Sequence, residues 1–154
     1  MKIKDCEIFR ISVRNMYIYR MKDLDKIESL VNEPYARYQK AHSGITKSDF
    51  KAVVAMTGLN LSEFSRFLPV SKRTIEKVKG KELFSPQVSD RVLQIATLYQ
   101  QGIDLFGSPE VFKEWMNSAI LALGSKKPIA YMDNGTGIAI IHDLLGRIEH
   151  GIYS

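Results

Sequence analysis

A chain of 154 residues that is 45% hydrophobic and 25% charged can bury a core of its own, which excludes a disordered tail. It suits one compact domain or two small ones sharing an interface. A net charge of +5 and a pI near 9.3 are enough for a nucleic-acid partner but far from a polycationic arm. The single Cys6 excludes an intramolecular disulfide, no leader-like pattern opens the chain, and no apolar run approaches the roughly 20 residues that span a bilayer; a reducing cytoplasm is expected.

In the first twenty residues Phe9, Ile11 and Val13 alternate with Arg10, Ser12 and Arg14, the period of a strand, with a hairpin turn near Asn15. Asp23 is placed to cap a helix carrying Leu24, Ile27 and Val31, and Pro34 interrupts it before Tyr35 and Tyr38 start another turn or two. Residues 1–44 thus read as a dimerisation element or, equally, as an extension packed on the body. Phe50, Val53 and Val54 then fall at helical spacing, and Gly58 is a natural stop.

The stretch NLSEFSRFLPVSKRTIEKVKGK at residues 60–81 reads as two short helices joined by a tight turn. Asn60 caps the first, with Glu63 returning a bond to the cap backbone. Leu61, Phe64 and Leu68 share its inner face. Ser71 caps the second, whose Ile75 and Val78 pack back on the first. That is the apolar skeleton of a helix-turn-helix, and it leaves Lys72, Arg73, Thr74, Glu76 and Lys77 outward, on the side a recognition helix presents to the major groove. Residues 45–81 hold eight Lys and Arg against three Asp and Glu, a local balance of +5 that favours phosphate contact over a merely solvated face. The DNA-binding candidates are Ser71, Lys72, Arg73, Thr74, Lys77, Lys79 and Lys81. Pro69 stands where such turns prefer glycine, and its ring forbids positive φ.

Ser85 with Pro86 gives a cap followed by proline at the first helical position, opening a core helix through Val88, Val92, Ile95, Ala96 and Tyr99 to Gly102. Ser108 with Pro109 repeats the device for a helix with Val111, Phe112 and Trp115 on one face, and residues 119–123 extend it as far as Gly124. Gly135 and Gly137 read as turn formers, because the remaining residues of a phosphate-binding loop or dinucleotide fingerprint are missing. A final helix then turns Ile140, Ile141, Leu144, Leu145 and Ile148 inward and His142, Arg147, Glu149 and His150 outward, and Gly151 ends it. The three histidines show no metal-ligand spacing and no nucleophile has a base and an orienter, so no metal, cofactor or catalytic site is expected.

The segment W-M-N-S-A-I-L-A-L-G-S-K-K-P at residues 115–128, with G-I-A-I-I-H-D-L-L-G-R-I-E-H-G-I-Y-S at residues 137–154, resembles the toxin-binding domain of the Xre/MbcA/ParS antitoxin family. S-K-R-T-I at residues 71–75 and S-D-R-V-L at residues 89–93 are similar to that family's helix-turn-helix portion. Ala119 and Ile120 replace the Pro-Asn common in the family. The resemblance implies a mainly α protein with a helix-turn-helix bundle over 45–104 and a toxin-binding domain over 105–154. It further implies an antitoxin of a type II pair that occludes the active site of a RES-domain, NAD-consuming toxin and represses its own operon on operator DNA; a homodimer is expected because helix-turn-helix proteins commonly read paired half-sites. The toxin-binding residues would be Arg147, Glu149, His150, Gly151, Ile152 and Tyr153, although the same residues could pack within the monomer or across a dimer. The alternative is a stand-alone helix-turn-helix regulator with a C-terminal dimerisation domain.

Overall fold

The computed structural model describes Ile27 and residues 30–152, and it is mainly helical. The strand and hairpin expected in the first twenty residues, and the Asp23 cap, lie outside the described residues. Seven α-helices follow Ile27, Leu30 and Val31, which are helical and buried. They are α1 (Pro34–Ser43), α2 (Lys47–Thr57), α3 (Leu61–Ser65), α4 (Lys72–Lys77), α5 (Pro86–Phe106), α6 (Pro109–Met116) and α7 (Gly135–Glu149). Pairing between strands is limited, among the described residues, to the isolated antiparallel bridges Thr46 with Leu83 and Ile120 with Lys126.

Local chemistry sets most boundaries. Pro34, Pro86 and Pro109 occupy the start of their helices, where a missing N–H costs nothing. Asn60 and Glu63 form the expected capping box, and Thr46 and Asp49 form a second one at α2. Ser71, Ser85, Ser108 and Asn134 cap α4, α5, α6 and α7. Gly58 ends α2 in the left-handed region at φ 62°.

α5 is the axis of the molecule. Its 21 residues span about 31 Å, and α1, α2, α6 and α7 all pack on it. Val88, Val92, Leu93, Ile95, Ala96, Leu98 and Tyr99 are buried along its length. The helix does not stop at Gly102 as the sequence suggested. Gly102 lies inside it, with the Phe112 ring pressed against its bare Cα, and α5 ends at Gly107, φ 80°. Beneath the helix pair, Phe50 meets Phe64 edge-on at 5.6 Å and Phe84 at 4.9 Å. At the other end Phe112 meets Tyr99, Phe106 and Trp115 within 6 Å.

Three other expectations are corrected. α6 does not continue through residues 119–123: Asn117 and Ser118 turn their side chains back onto the carbonyls of Lys113 and Glu114, an alternative to further helix. Ile120 then pairs with Lys126 around a 3-10 turn, Leu121–Leu123, closed by Gly124 and Ser125 at φ 65° and 61°. Val111, expected on the inner face of α6, is 46% exposed. Gly137 is not a turn former but a helical residue in the first turn of α7, where a Cβ would fall 1.9 Å from the Tyr131 carbonyl oxygen.

On α7, Ile140 faces out and His142 is half-buried, the reverse of the expected arrangement. The buried stripe is Ile138, Ile141 and Leu145. At 100° per residue Ile140 lies about 130° around the helix from that stripe, and His142 only about 70°. Burial of Ile138, which the sequence reading left out of the stripe, rotates the face.

Candidate functional site

The basic helix pair is built on a turn that needs no glycine. After α3 the chain unwinds through three i→i+3 bonds, Arg66 to Glu63, Phe67 to Phe64 and Leu68 to Ser65, before Ser71 caps α4. The sole non-glycine residue with positive φ among the described residues is Ser125, so Pro69 passes through the connection without that conformation. Phe64, Leu68 and Ile75 are buried between the two helices. Lys72, Arg73, Thr74, Lys77, Lys79 and Lys81 are all exposed.

Their chemistry is not equivalent. Ser71 and Thr74 spend their hydroxyls on the cap, 3.0 Å apart, with the Thr74 N–H donating to Ser71 Oγ at 3.2 Å. Lys72 faces Glu76 at 3.9 Å. Lys79 donates its backbone N–H to Glu82 at 3.0 Å. Arg73, Lys77 and Lys81 have no acidic partner among the described residues. Lys47, counted within the basic stretch, is structural: its ammonium donates to the backbone carbonyls of Glu76 and Val78 and so closes the C-terminus of α4.

The closing helix presents the other predicted set. Arg147, Glu149, His150, Gly151 and Ile152 are all exposed, and Ile152 keeps 57% of its surface in solvent. Tyr153 lies outside the described residues. Arg147 pairs with Asp143 one turn back at 2.7 Å. Gly151, φ 67°, sends its N–H to Ile148 and the next N–H, from Ile152, returns to Arg147 at 2.8 Å. This pair of bonds is a Schellman cap, which fixes the direction in which the chain leaves α7.

Two side chains tie the segments carrying these sets together. Arg91 on α5 donates to the carbonyls of Phe67, beside the α3–α4 turn, and Asp133, just before α7. Lys113 on α6 donates to the Gly58 carbonyl at 3.2 Å.

A groove of about 530 Å³, floored by α5 and walled by α1 and α7, has no local signature in the sequence. Arg37 and His142 line it from opposite walls. Burial, then the Arg37 charge, lower the His142 pKa from its ordinary value. Leu121, at the tip of the 3-10 turn, is 87% exposed, a position that helical spacing did not single out.

Sequence comparison points to a class of protein for this closing segment. Residues 101–151 match the family described as the antitoxin Xre/MbcA/ParS C-terminal toxin-binding domain. The C-terminal third of the chain is thus similar to the toxin-binding domain of the Xre/MbcA/ParS family, as the resemblance of its closing segments implied. Over 72 residues the chain is 33% identical to an antitoxin Xre of Yersinia enterocolitica, covering 46% of this chain and 49% of that protein. It is 28% identical over 103 residues to an antitoxin Xre of Photorhabdus laumondii, covering 66% and 63%. A Sphingobium protein named Prs ADP-ribosylating antitoxin is 26% identical over 131 residues, 79% of this chain and 82% of that one. The match thus spans about half the length of the Yersinia protein and under two thirds of the Photorhabdus protein.

Proposed function

We propose that the chain is an antitoxin that neutralises a toxin through the exposed end of α7 and binds operator DNA through α4. The carrying observation is that the matched toxin-binding domain closes on α7, and that Arg147 and Glu149 in its last turn, with His150 and Ile152 just beyond it, all face solvent. A rigid cap, an apolar tip and charged neighbours suit insertion into a concave partner, because a pre-ordered segment loses little entropy on binding. The partner we favour is a RES-domain toxin that acts on NAD, held inactive by occlusion of its cleft. The name of the Sphingobium relative supports NAD chemistry in the partner, since ADP-ribosyl transfer draws on NAD.

In this reading the work is divided between residues 45–104, which bind DNA, and residues 105–154, which bind the toxin. Arg73, Lys77 and Lys81 neutralise backbone phosphates, and a homodimer places two copies of α4 on paired half-sites, so that the complex represses its own operon. Coexpression with the neighbouring reading frame tests the first half. Growth is expected with the full chain and arrest with a chain cut before Arg147. Sequence-specific DNA binding with no toxic neighbour would point instead to a stand-alone regulator.

A further inference from the structure

Three helices turn the same two-turn stripe toward one groove. α1 lines it with positions 34, 37, 38 and 41, α5 with 90, 93, 94 and 97, and α7 with 135, 138, 139 and 142. Each set is i, i+3, i+4, i+7, the spacing by which a helix contacts another helix, and each runs about 10 Å along its axis. The groove has the shape left when one member of a four-helix arrangement is missing. Its lining is largely apolar, with Pro34, Ala41, Leu93, Ile138 and Ala139 facing in and Tyr38 on the α1 wall 69% exposed.

The polar groups inside lack complements. The Arg37 guanidinium donates to Thr97 at 3.1 Å and has no acidic partner among the described residues. His142 makes no hydrogen bond among them. Gln94 spends its amide N–H on Asp90 at 2.8 Å, which leaves its buried Oε1 with no donor. Asp90, the one acid lining the groove among the described residues, sits two turns along α5 from Thr97 and so away from Arg37. The site has two nitrogen groups waiting for an anion and one carbonyl waiting for a donor.

We infer that this groove receives an amphipathic helix of the toxin, with a carboxylate lying between Arg37 and His142. The inference rests on the antitoxin reading. Charge decides the occupant: the chain is itself basic, +5, so a second copy would bring further cations to the end of the groove that holds Arg37 and His142, which no acid lines among the described residues. Helix-in-groove recognition uses the spacing seen here, with apolar anchors at i, i+3, i+4 and i+7. The toxin would then be held at two places, its cleft by the end of α7 and one of its helices by the groove.

The test is capture of the neighbouring reading frame's product by the intact chain. Ala139 is exposed on the α7 wall, so Ala139→Trp fills the groove without touching the core. Toxin affinity is expected to fall more than tenfold with an unchanged circular dichroism spectrum and melting temperature. Arg37→Gln is expected to cost about tenfold and to flatten the salt dependence of binding, as loss of one ion pair does and a packing defect does not. Capture of wild-type strength by both folded variants would overturn the inference and leave the antitoxin reading standing. So would a homodimer that Ala139→Trp dissociates while capture persists, because the occupant would then be a second copy. A wild-type chain that captures no toxin overturns both.

Discussion

Phe112 rests on the bare backbone of Gly102: a Cβ at position 102 would stand 2.3 Å from its ring atoms. Gly102→Ala therefore sets two effects against each other. Alanine in a helix interior gains about 1 kcal/mol over glycine. Overpacking a filled core costs about 1–3 kcal/mol, and here the ring is locked by Tyr99, Phe106 and Trp115. The overlap is deep enough for the second effect to win. Urea unfolding is expected to show a loss of about 1–2 kcal/mol, and a Phe112→Leu background should abolish most of it.

The same glycine shows which parts of the structure were legible in the sequence. Caps are decided within four residues, so Asn60 with Glu63, Ser71, Ser85 with Pro86 and Ser108 with Pro109 could all be read directly. Gly102 and Gly137 looked like punctuation because what makes each necessary, the Phe112 ring or the Tyr131 carbonyl, comes from another element. Lys47 counted only toward the basic balance of residues 45–81, and its bonds to the Glu76 and Val78 carbonyls at the end of α4 come from an element thirty residues away. The positions of Arg147, Glu149 and His150 on the outside followed from helical period alone, whereas the α1–α5–α7 groove combines residues some fifty and forty positions apart and has no local signature.

The basic stretch separates into cations that can meet phosphate and one that cannot. If DNA lies against α4, replacing Arg73, Lys77 and Lys81 with alanine should lower the slope of log affinity against log salt by about 2.7, from 0.9 per lost phosphate contact. Lys47→Gln should leave that slope unchanged and instead destabilise α4, since it removes the bonds to the Glu76 and Val78 carbonyls. Fluorescence anisotropy at several salt concentrations checks the first outcome, and amide hydrogen exchange at residues 72–77 the second. An equal loss of slope from Lys47→Gln would move the phosphate contacts onto α2.

Arg147 offers a clean separation of stability from binding. Its pair with Asp143 is exposed on both sides, and exposed pairs contribute between 0 and about 1 kcal/mol. Arg147→Ala should leave the melting temperature within a degree or two while weakening toxin neutralisation at least tenfold. Growth of cells coexpressing the toxin, scored against antitoxin dose, gives the second quantity. Unimpaired rescue by this variant together with a truncation after Glu149 would exclude the end of α7 as the toxin contact.

His142 should make stability depend on pH in a definite direction. Burial and the facing Arg37 hold its folded-state pKa below the ordinary value of about 6.5. The unfolded chain then takes up the proton first, so stability is complete above about pH 6.5 and falls as the pH drops through the window down to the folded-state value. Of the other groups nearby, Asp90 on α5 lies toward the far end of the groove and Asp143 on α7 is committed to Arg147. His142→Gln removes this contribution, so the stability difference between wild type and variant should shrink the wild type's advantage as the pH falls from 7 to 5. A carboxylate delivered into the groove would reverse the sign for the complex, because it favours the imidazolium. Titration calorimetry of toxin binding in buffers of different ionisation enthalpy should therefore show proton uptake by the wild type and none by His142→Gln.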